Sequence, residues 1–399
     1  MNDLVTHDPQ ISAAEPEKKP GFFRALPGKL TRFFRRLHRC CPVPARVLFC
    51  LALVAVLLQV GFSLSPGFAD FYNRYPGAWF RAALAILTSW FPFSLAETAL
   101  MLLPVVVVLM LIHIFHVSKK TLRDMARLTL TMLSALTLFF TTFVFGFSAG
   151  YRGSSLSDKL GLPQNTVSPE ELDRTAEWLI EQINGLVPEI SYRYGDFSVM
   201  PYGLGEMNRK LQEAYRLASE DYSFLPVFPS RIKTIVLSEP MTYTHISGVY
   251  TYFTGESNLN VNFPDYTLPY TAAHELAHQR GIAREEEANF IAFLICQKSD
   301  DPYIRYSGCV SLYEYVISAL YRADKTLYYA RSATAPTTVR YEMSAYNRFF
   351  SQYEKSVAAT VSNTVNNAYL QIQGEKAGSK SYGLVVDLAV AYVNARETA

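Results

Sequence analysis

The chain divides by the spacing of its apolar residues. Before residue 150 they come in unbroken runs; beyond it they recur at helix and strand periods among polar neighbours. A bilayer core of about 30 Å takes roughly 20 apolar residues of helix. Three runs meet that length: Val47 to Leu64, Thr98 to Val117 and Leu128 to Phe147. Ser65-Pro66-Gly67 ends the first, and Pro104 inside the second is tolerable in a membrane helix. Trp79 to Leu95 is a fourth apolar stretch, but Arg81 and Pro92 interrupt it, so it reads as interfacial or re-entrant.

Basic residues orient these spans. Lys18, Lys19, Arg24, Lys29, Arg32, Arg35, Arg36 and Arg39 precede the first, and Lys119, Lys120, Arg123 and Arg127 separate the second from the third. The loop between the first two has only Arg74 and Arg81. By the positive-inside rule the N-terminus is cytoplasmic and everything after Gly150 is extracytoplasmic, in a bacterial cytoplasmic membrane. The long basic region and the later spans argue for anchoring over a cleaved signal peptide. His113 and His116, at a span end, read as interfacial packing. The expected organisation is a basic cytoplasmic tail over 1–45, a transmembrane region over 46–150 and an external domain over 151–399.

In the polar half, Ser168-Pro169-Glu170-Glu171 is a helix start, with an N-cap, a proline at the first helical position and acids on the positive dipole end. The spacing predicts a helix to Leu186 with Ala176, Leu179, Ile180 and Ile183 on one face, and a second helix over Gly205 to Ala218. Ile232–Leu237, Gly248–Phe253 and Leu259–Phe263 are short and β-rich, so they predict strands. From Tyr270 the pattern is helical almost to the end. The expected fold is α+β: a three-helix transmembrane region, then a mostly helical domain with a small β-sheet.

Composition narrows the partners. Lys+Arg 37 against Asp+Glu 35 gives a net charge of +2, too balanced for a nucleic-acid partner. The partners are a lipid bilayer and whatever the external domain binds; oligomeric state is not legible. No C-x-x-C pair occurs among Cys40, Cys41, Cys50, Cys296 and Cys309, which excludes a cysteine zinc ribbon. Cys296 and Cys309 are either a disulfide or two buried small apolar residues.

The chemistry centres on His274-Glu275-Leu276-Ala277-His278. Two His four apart on a helix share a face and can bind one metal ion, with the adjacent Glu275 as general base. Neutral imidazoles suit Zn2+. With 7 His in the chain, composition alone gives the pattern on the order of 1% of the time, so context matters. A third ligand is needed. Arg284 stands where a metzincin has His or Asp, which leaves Glu285-Glu286-Glu287 on the following helix, past a stop at Gly281. Glu285 is favoured because Asn289 lies one turn beyond it and can accept the free N–H of a ligand imidazole. The alternative is a charged helix start with all three acids in water.

Glu285-x-x-x-Asn289 after the His274–His278 pair resembles the gluzincin arrangement, in which a ligand Glu precedes an acidic residue by four; Asn289 stands here in place of Asp. Gly248-Val249-Tyr250-Thr251-Tyr252-Phe253-Thr254-Gly255-Glu256, His274 through Asn289, and Lys380-Ser381-Tyr382-Gly383 together resemble an uncharacterised bacterial family of membrane zinc metallopeptidases. That resemblance implies N-terminal spans, an external zincin-like domain and no particular substrate.

The expected activity is hydrolysis of extracytoplasmic peptides or proteins by one Zn2+ on His274, His278 and Glu285. Alternatives are a zinc hydrolase of a non-peptide envelope amide and a non-catalytic metal-binding sensor or scaffold. His245, Tyr250 and Tyr252 are candidate oxyanion donors because they flank the strand before the motif. His245 reads equally as a loop or packing residue, and the two tyrosines as wall. Glu256 reads as a surface charge or a contact for a substrate amine. The tyrosines from Tyr303 to Tyr329 read as core. The motif lies more than 100 residues beyond the third span, in polar sequence, which argues against an intramembrane site.

Overall fold

The computed structural model describes residues 41–117, 121–163, 166–193, 198–353, six positions between 356 and 367, and 383–397. The tail before residue 41, Lys119-Lys120 and Lys380-Ser381-Tyr382 lie outside the described residues. Three helices are long and apolar enough to cross a membrane: α1 (Val43–Leu64), α4 (Leu95–Val117) and α5 (Leu122–Arg152). Their apolar side chains face outward; the most apolar stretch of α4 buries nothing inside the protein. Apolar surface left bare on this scale suits lipid.

Two further helices lie between α1 and α4, α2 (Pro66–Arg74) and α3 (Pro76–Ser89), and the stretch expected as interfacial from Trp79 covers most of α3 and the turn that follows it. Pro92 sits in the turn before α4. Arg81, which interrupts that apolar stretch, is 1% exposed. Its Nη1 donates to the Asn73 side chain and to the Gly146 carbonyl, and its Nη2 to the Asn73 and Arg280 carbonyls. The Gly146 carbonyl belongs to a π turn in α5 (Val144–Ser148), where widened winding leaves backbone groups in want of partners. Residue 150 lies inside α5.

The remaining chain is mostly helical. After α6 (Leu156–Leu160) come α7 (Pro169–Leu186) and α8 (Leu204–Asp221). The helix start read at Ser168 is a full capping box, with Glu171 answering back to the Ser168 amide. A three-stranded sheet follows, from β1 (Ile232–Thr234), β2 (Gly248–Thr251) and β3 (Glu256–Leu259), with α9 (Ser238–Thr242) between β1 and β2. The order is β1-β3-β2, with β3 parallel to β1 and antiparallel to β2.

The strands differ from expectation at their ends. Gly255, at φ 70°, turns the chain two residues beyond the stretch expected as strand, so β3 starts at Glu256 rather than Leu259. Of Leu259–Phe263 only Leu259 lies in the sheet; beyond it the Asn260 side chain donates to the Ile246 carbonyl and the Thr242 hydroxyl. The chain then runs through α10 (Leu268–Gln279), α11 (Glu285–Lys298), α12 (Pro302–Ala323), α13 (Lys325–Thr334), α14 (Thr337–Ser351) and α15 (Leu384–Glu397). One core holds α7, α8, α10, α11, α12 and α15 together, and Tyr303, Tyr306 and Tyr313 lie within it. Cys296 and Cys309 are free and buried in that core, not joined; Gln297 donates to the Cys309 sulfur.

Candidate metal centre

The site is built where α10 turns back into α11. His274 and His278 lie one helical turn apart, their ring centroids 4.5 Å apart and their planes perpendicular. The helix ends as the glycine foretold: the Gly281 amide donates to the His278 carbonyl and the Ile282 amide to the Ala277 carbonyl, with Gly281 at φ 94°. A side chain at Gly281 would run into Arg81, whose Nη2 is 2.5 Å from an added Cβ. The Asn73 amide and Arg81 together hold the carbonyls of Gly281 and Arg280, so α2 and α3 fix the end of the motif helix.

This reversal sets Glu285 against both imidazoles. Its carboxylate oxygens lie 3.3 Å from His274 Nε2 and 3.6 Å from His278 Nε2, and the three ligand atoms fall within 4.8 Å of one another. Donors about 2.0–2.1 Å from a tetrahedral centre stand about 3.3–3.5 Å apart, so the spacing fits a shared small cation. His278 is pre-oriented for it. Its Nδ1 donates to the Ile282 carbonyl at 2.7 Å, which assigns the tautomer that leaves Nε2 as a bare lone pair. Two imidazoles and a carboxylate are a donor set for Zn2+.

The electrostatics point the same way. Burial pushes the Glu285 carboxyl up, but the two imidazoles outweigh it and hold it well below the usual range. Burial pushes His278 down, yet the Glu285 carboxylate wins and raises it to about 9. A carboxylate turned on two imidazoles is satisfied only by positive charge, a proton or a metal ion. Glu275 stands beside the pair, 5% exposed, its carboxyl raised chiefly by burial. A Cβ at Gly248 would lie 2.6 Å from Glu275 Oε1, so only glycine lets β2 pass this close. The Tyr250 amide donates to the carboxylate, and Ser257 Oγ donates to the Glu275 carbonyl at 2.9 Å.

His274, Glu275, His278, Glu285, Gly248 and Tyr250 line a cleft of about 1060 Å3. Its wall includes a residue that the sequence reading did not single out: Phe147, whose ring stands edge-on to His278 at 5.7 Å. The motif, remote from the third span in sequence, abuts that span's end in space.

The weaker candidates fare unequally. His245, at φ 62°, lines the cleft, but its Nε2 is bonded to the Tyr353 carbonyl and its ring packs on Phe350. Tyr250 is buried against Phe147, its hydroxyl without a hydrogen-bond partner among the described residues. Tyr252 packs on Phe143 and Phe253.

Asn289 lines the cleft, yet its amide nitrogen and His274 Nδ1 are both buried without a partner. The orienting acceptor expected of it is supplied to the other histidine by the Ile282 carbonyl. Backbone carbonyls carry no sequence signal.

Glu287 accepts from Arg284 and from the Leu156 amide. Glu256 is no surface charge. It is 1% exposed, paired with buried Lys233, and accepts from the amides of Leu95 and Ala96 at the start of α4.

A chain with three apolar spans and a His-His-Glu cluster against the end of one of them defines a membrane-associated protein with a candidate metal centre. A family model described as "Protein of unknown function (DUF3810)" matches residues 72–390, and the chain belongs to that family. Nothing matches it among curated proteins or among solved structures.

Proposed function

We propose that the chain is a membrane-anchored zinc metallopeptidase with a zincin-like domain, acting on peptides or proteins outside the cytoplasmic membrane. The observation that carries this reading is the placement of the Glu285 carboxylate between His274 Nε2 and His278 Nε2, with Glu275 alongside. His274, His278 and Glu285 would hold one Zn2+. A divalent ion held there supplies Lewis acidity, which polarises a carbonyl and brings the pKa of a water towards about 7.

The rest falls to the protein. Glu275 accepts a proton from the water as the water oxygen bonds to the carbonyl carbon. The C–N bond then breaks, and Glu275 returns the proton to the departing amine nitrogen. Of the candidate oxyanion donors, His245 is engaged by the Tyr353 carbonyl, whereas the buried Tyr250 hydroxyl has no hydrogen-bond partner among the described residues. The basic residues at one end of the spans support an orientation with the N-terminus in the cytoplasm and the cleft on the other side.

Metal analysis and a peptide-library digest of the purified full chain test the reading. Wild type should carry one zinc per chain and cleave. His274→Ala should lose both, and Glu275→Gln should keep zinc while cleaving about 10²–10⁴-fold more slowly. A wild type that binds no divalent metal overturns the proposal. Zinc without any cleavage favours the sensor or scaffold reading.

A further inference from the structure

The spans rise to a common level, and the cleft sits on it. Arg46, Lys119-Lys120 and Arg127 mark one end of the three apolar runs. Some 20 residues, or about 30 Å of helix, carries each run to the far side of a bilayer core. The residues reached are Pro66, Glu97 and Phe147.

At each of these places the chain is bound into the site. Pro66 opens α2, whose Asn73 donates to the Gly281 carbonyl behind the motif helix. Glu97 accepts from the amides of Val236 and Leu237, beyond β1. Phe147 touches the ring of His278 itself, at 5.7 Å between centroids. Headgroups add about 5–8 Å on each side of the core, so the metal ligands stand at headgroup depth.

Two further observations agree. Phe71, Tyr75, Trp79, Trp90, Phe91 and Phe93 are exposed around this level, the tryptophans by 76% and 79%, as a belt of interfacial aromatics would be. The strand beside Glu275, β2, pairs only with β3 among the described residues; its other edge carries no strand and faces the cleft, with the Tyr250 amide turned on Glu275. Its hairpin tip descends along α5: Tyr252 packs on Phe143, and Phe253 packs on Phe139. A peptide laid along β2 therefore runs towards the bilayer.

We infer that the substrate is a polypeptide tethered in the same membrane, cut within about five residues of the bilayer surface, since that length of extended chain spans about 16 Å. The inference deepens the peptidase reading and rests on it.

The test uses the full chain in phosphatidylcholine–phosphatidylglycerol vesicles and has two arms. In the first, Trp79, Trp90 and Trp178 are replaced by Phe and Phe253→Trp supplies a lone reporter, read by lipids brominated high on the acyl chain. It should be quenched as strongly as native Trp79, whereas Trp178 alone, on a helix that packs on α12, should be spared. An unquenched residue 253 overturns the inference whatever the activity.

The second arm offers a peptide library free, or bound to a lipid anchor through Gly-Ser spacers of about 5 or about 40 residues, which reach about 12 and about 35 Å. The short tether should be cut as well as the long one, and both at least tenfold faster than the free library. Cleavage of the long tether and the free library with the short one spared overturns the inference alone. No cleavage of any form by zinc-loaded protein overturns the peptidase reading with it.

Discussion

The helices α4 and α11 both begin against buried carboxylates, and the two sets serve different ends. At α4, Glu256 takes the first amides of the helix and the Lys233 ammonium, whose remaining protons go to the Thr88 and Phe93 carbonyls. At α11, Glu287 is used up in the same way by Arg284 and the Leu156 amide. Glu285, one residue from the cap, instead faces two imidazole nitrogens.

Burial of an acid is therefore no sign of chemistry by itself. An amide, ammonium or guanidinium brings its own proton and closes the account. A neutral imidazole offers Glu285 no charge, so this cluster is satisfied only by a cation, either a proton taken up on an imidazole or a metal ion.

Breaking the first set should cost most. Glu256→Ala strands Lys233 in a site where it is 2% exposed, and loss of one partner of a buried pair costs about 3–5 kcal/mol. Thermal melting should show a large drop, with zinc stoichiometry unchanged in whatever remains folded; an unshifted melt contradicts the structural role. Glu285→Gln is the mirror case. Zinc affinity should fall by about 100-fold or more, and the metal-free variant should melt below wild type by less than Glu256→Ala does, since only the Glu285–imidazole attraction is lost. Titration with a zinc chelator measures the first and calorimetry the second. Equal zinc affinity in the variant removes Glu285 from the ligand set. Zinc at ~100 times its Kd should stabilise wild type by about 2.7 kcal/mol, and that gain should vanish with the variant.

A third buried acid sharpens the contrast by its pH dependence. Glu314, on the cleft wall with the Tyr266 hydroxyl donating to it at 3.0 Å, is pushed up to about 7, chiefly by burial. The unfolded chain releases this proton near its ordinary value of 4.5, the folded chain only near 7. Native stability should thus decline as pH rises from about 4.5 through 7. Glu314→Gln should remove that decline, being more stable than wild type by about 2–3 kcal/mol at pH 8 and no more stable below pH ~4.5. Parallel melting curves at all pH values would refute it. The smallest effect is expected at Asn289. Its amide makes no bond to an imidazole, so Asn289→Ala should shift zinc affinity by less than about threefold, and a shift of 10–100-fold would restore it as an orienting partner.

Much of the site was legible because its geometry is helical and local. The i, i+4 spacing alone put His274 and His278 on one face, and the stop at Gly281 with the restart near Arg284 brought Glu285 into range. What was missed acts over long sequence distances. Arg81 reaches the Arg280 carbonyl across 199 positions and the Gly146 carbonyl across 65, and Glu256 reaches the start of α4 across 160. A charged residue read one at a time shows no partner, so Glu256 read as a surface charge and Arg81 only as a break in an apolar stretch. The third strand was misplaced for a related reason: buried Ser257 and Asn258 make β3 polar, and their partners lie on other elements.

The sequence by itself determined the three apolar spans, the helix starts and the paired imidazoles, because length, periodicity and capping are properties of neighbouring residues. Only the tertiary structure decided that the Glu285 carboxylate sits against both imidazoles, that Ile282 aims His278, and that Phe147 brings the end of a membrane helix against the cleft. Those contacts depend on how separate elements pack, and packing joins residues that no local pattern connects.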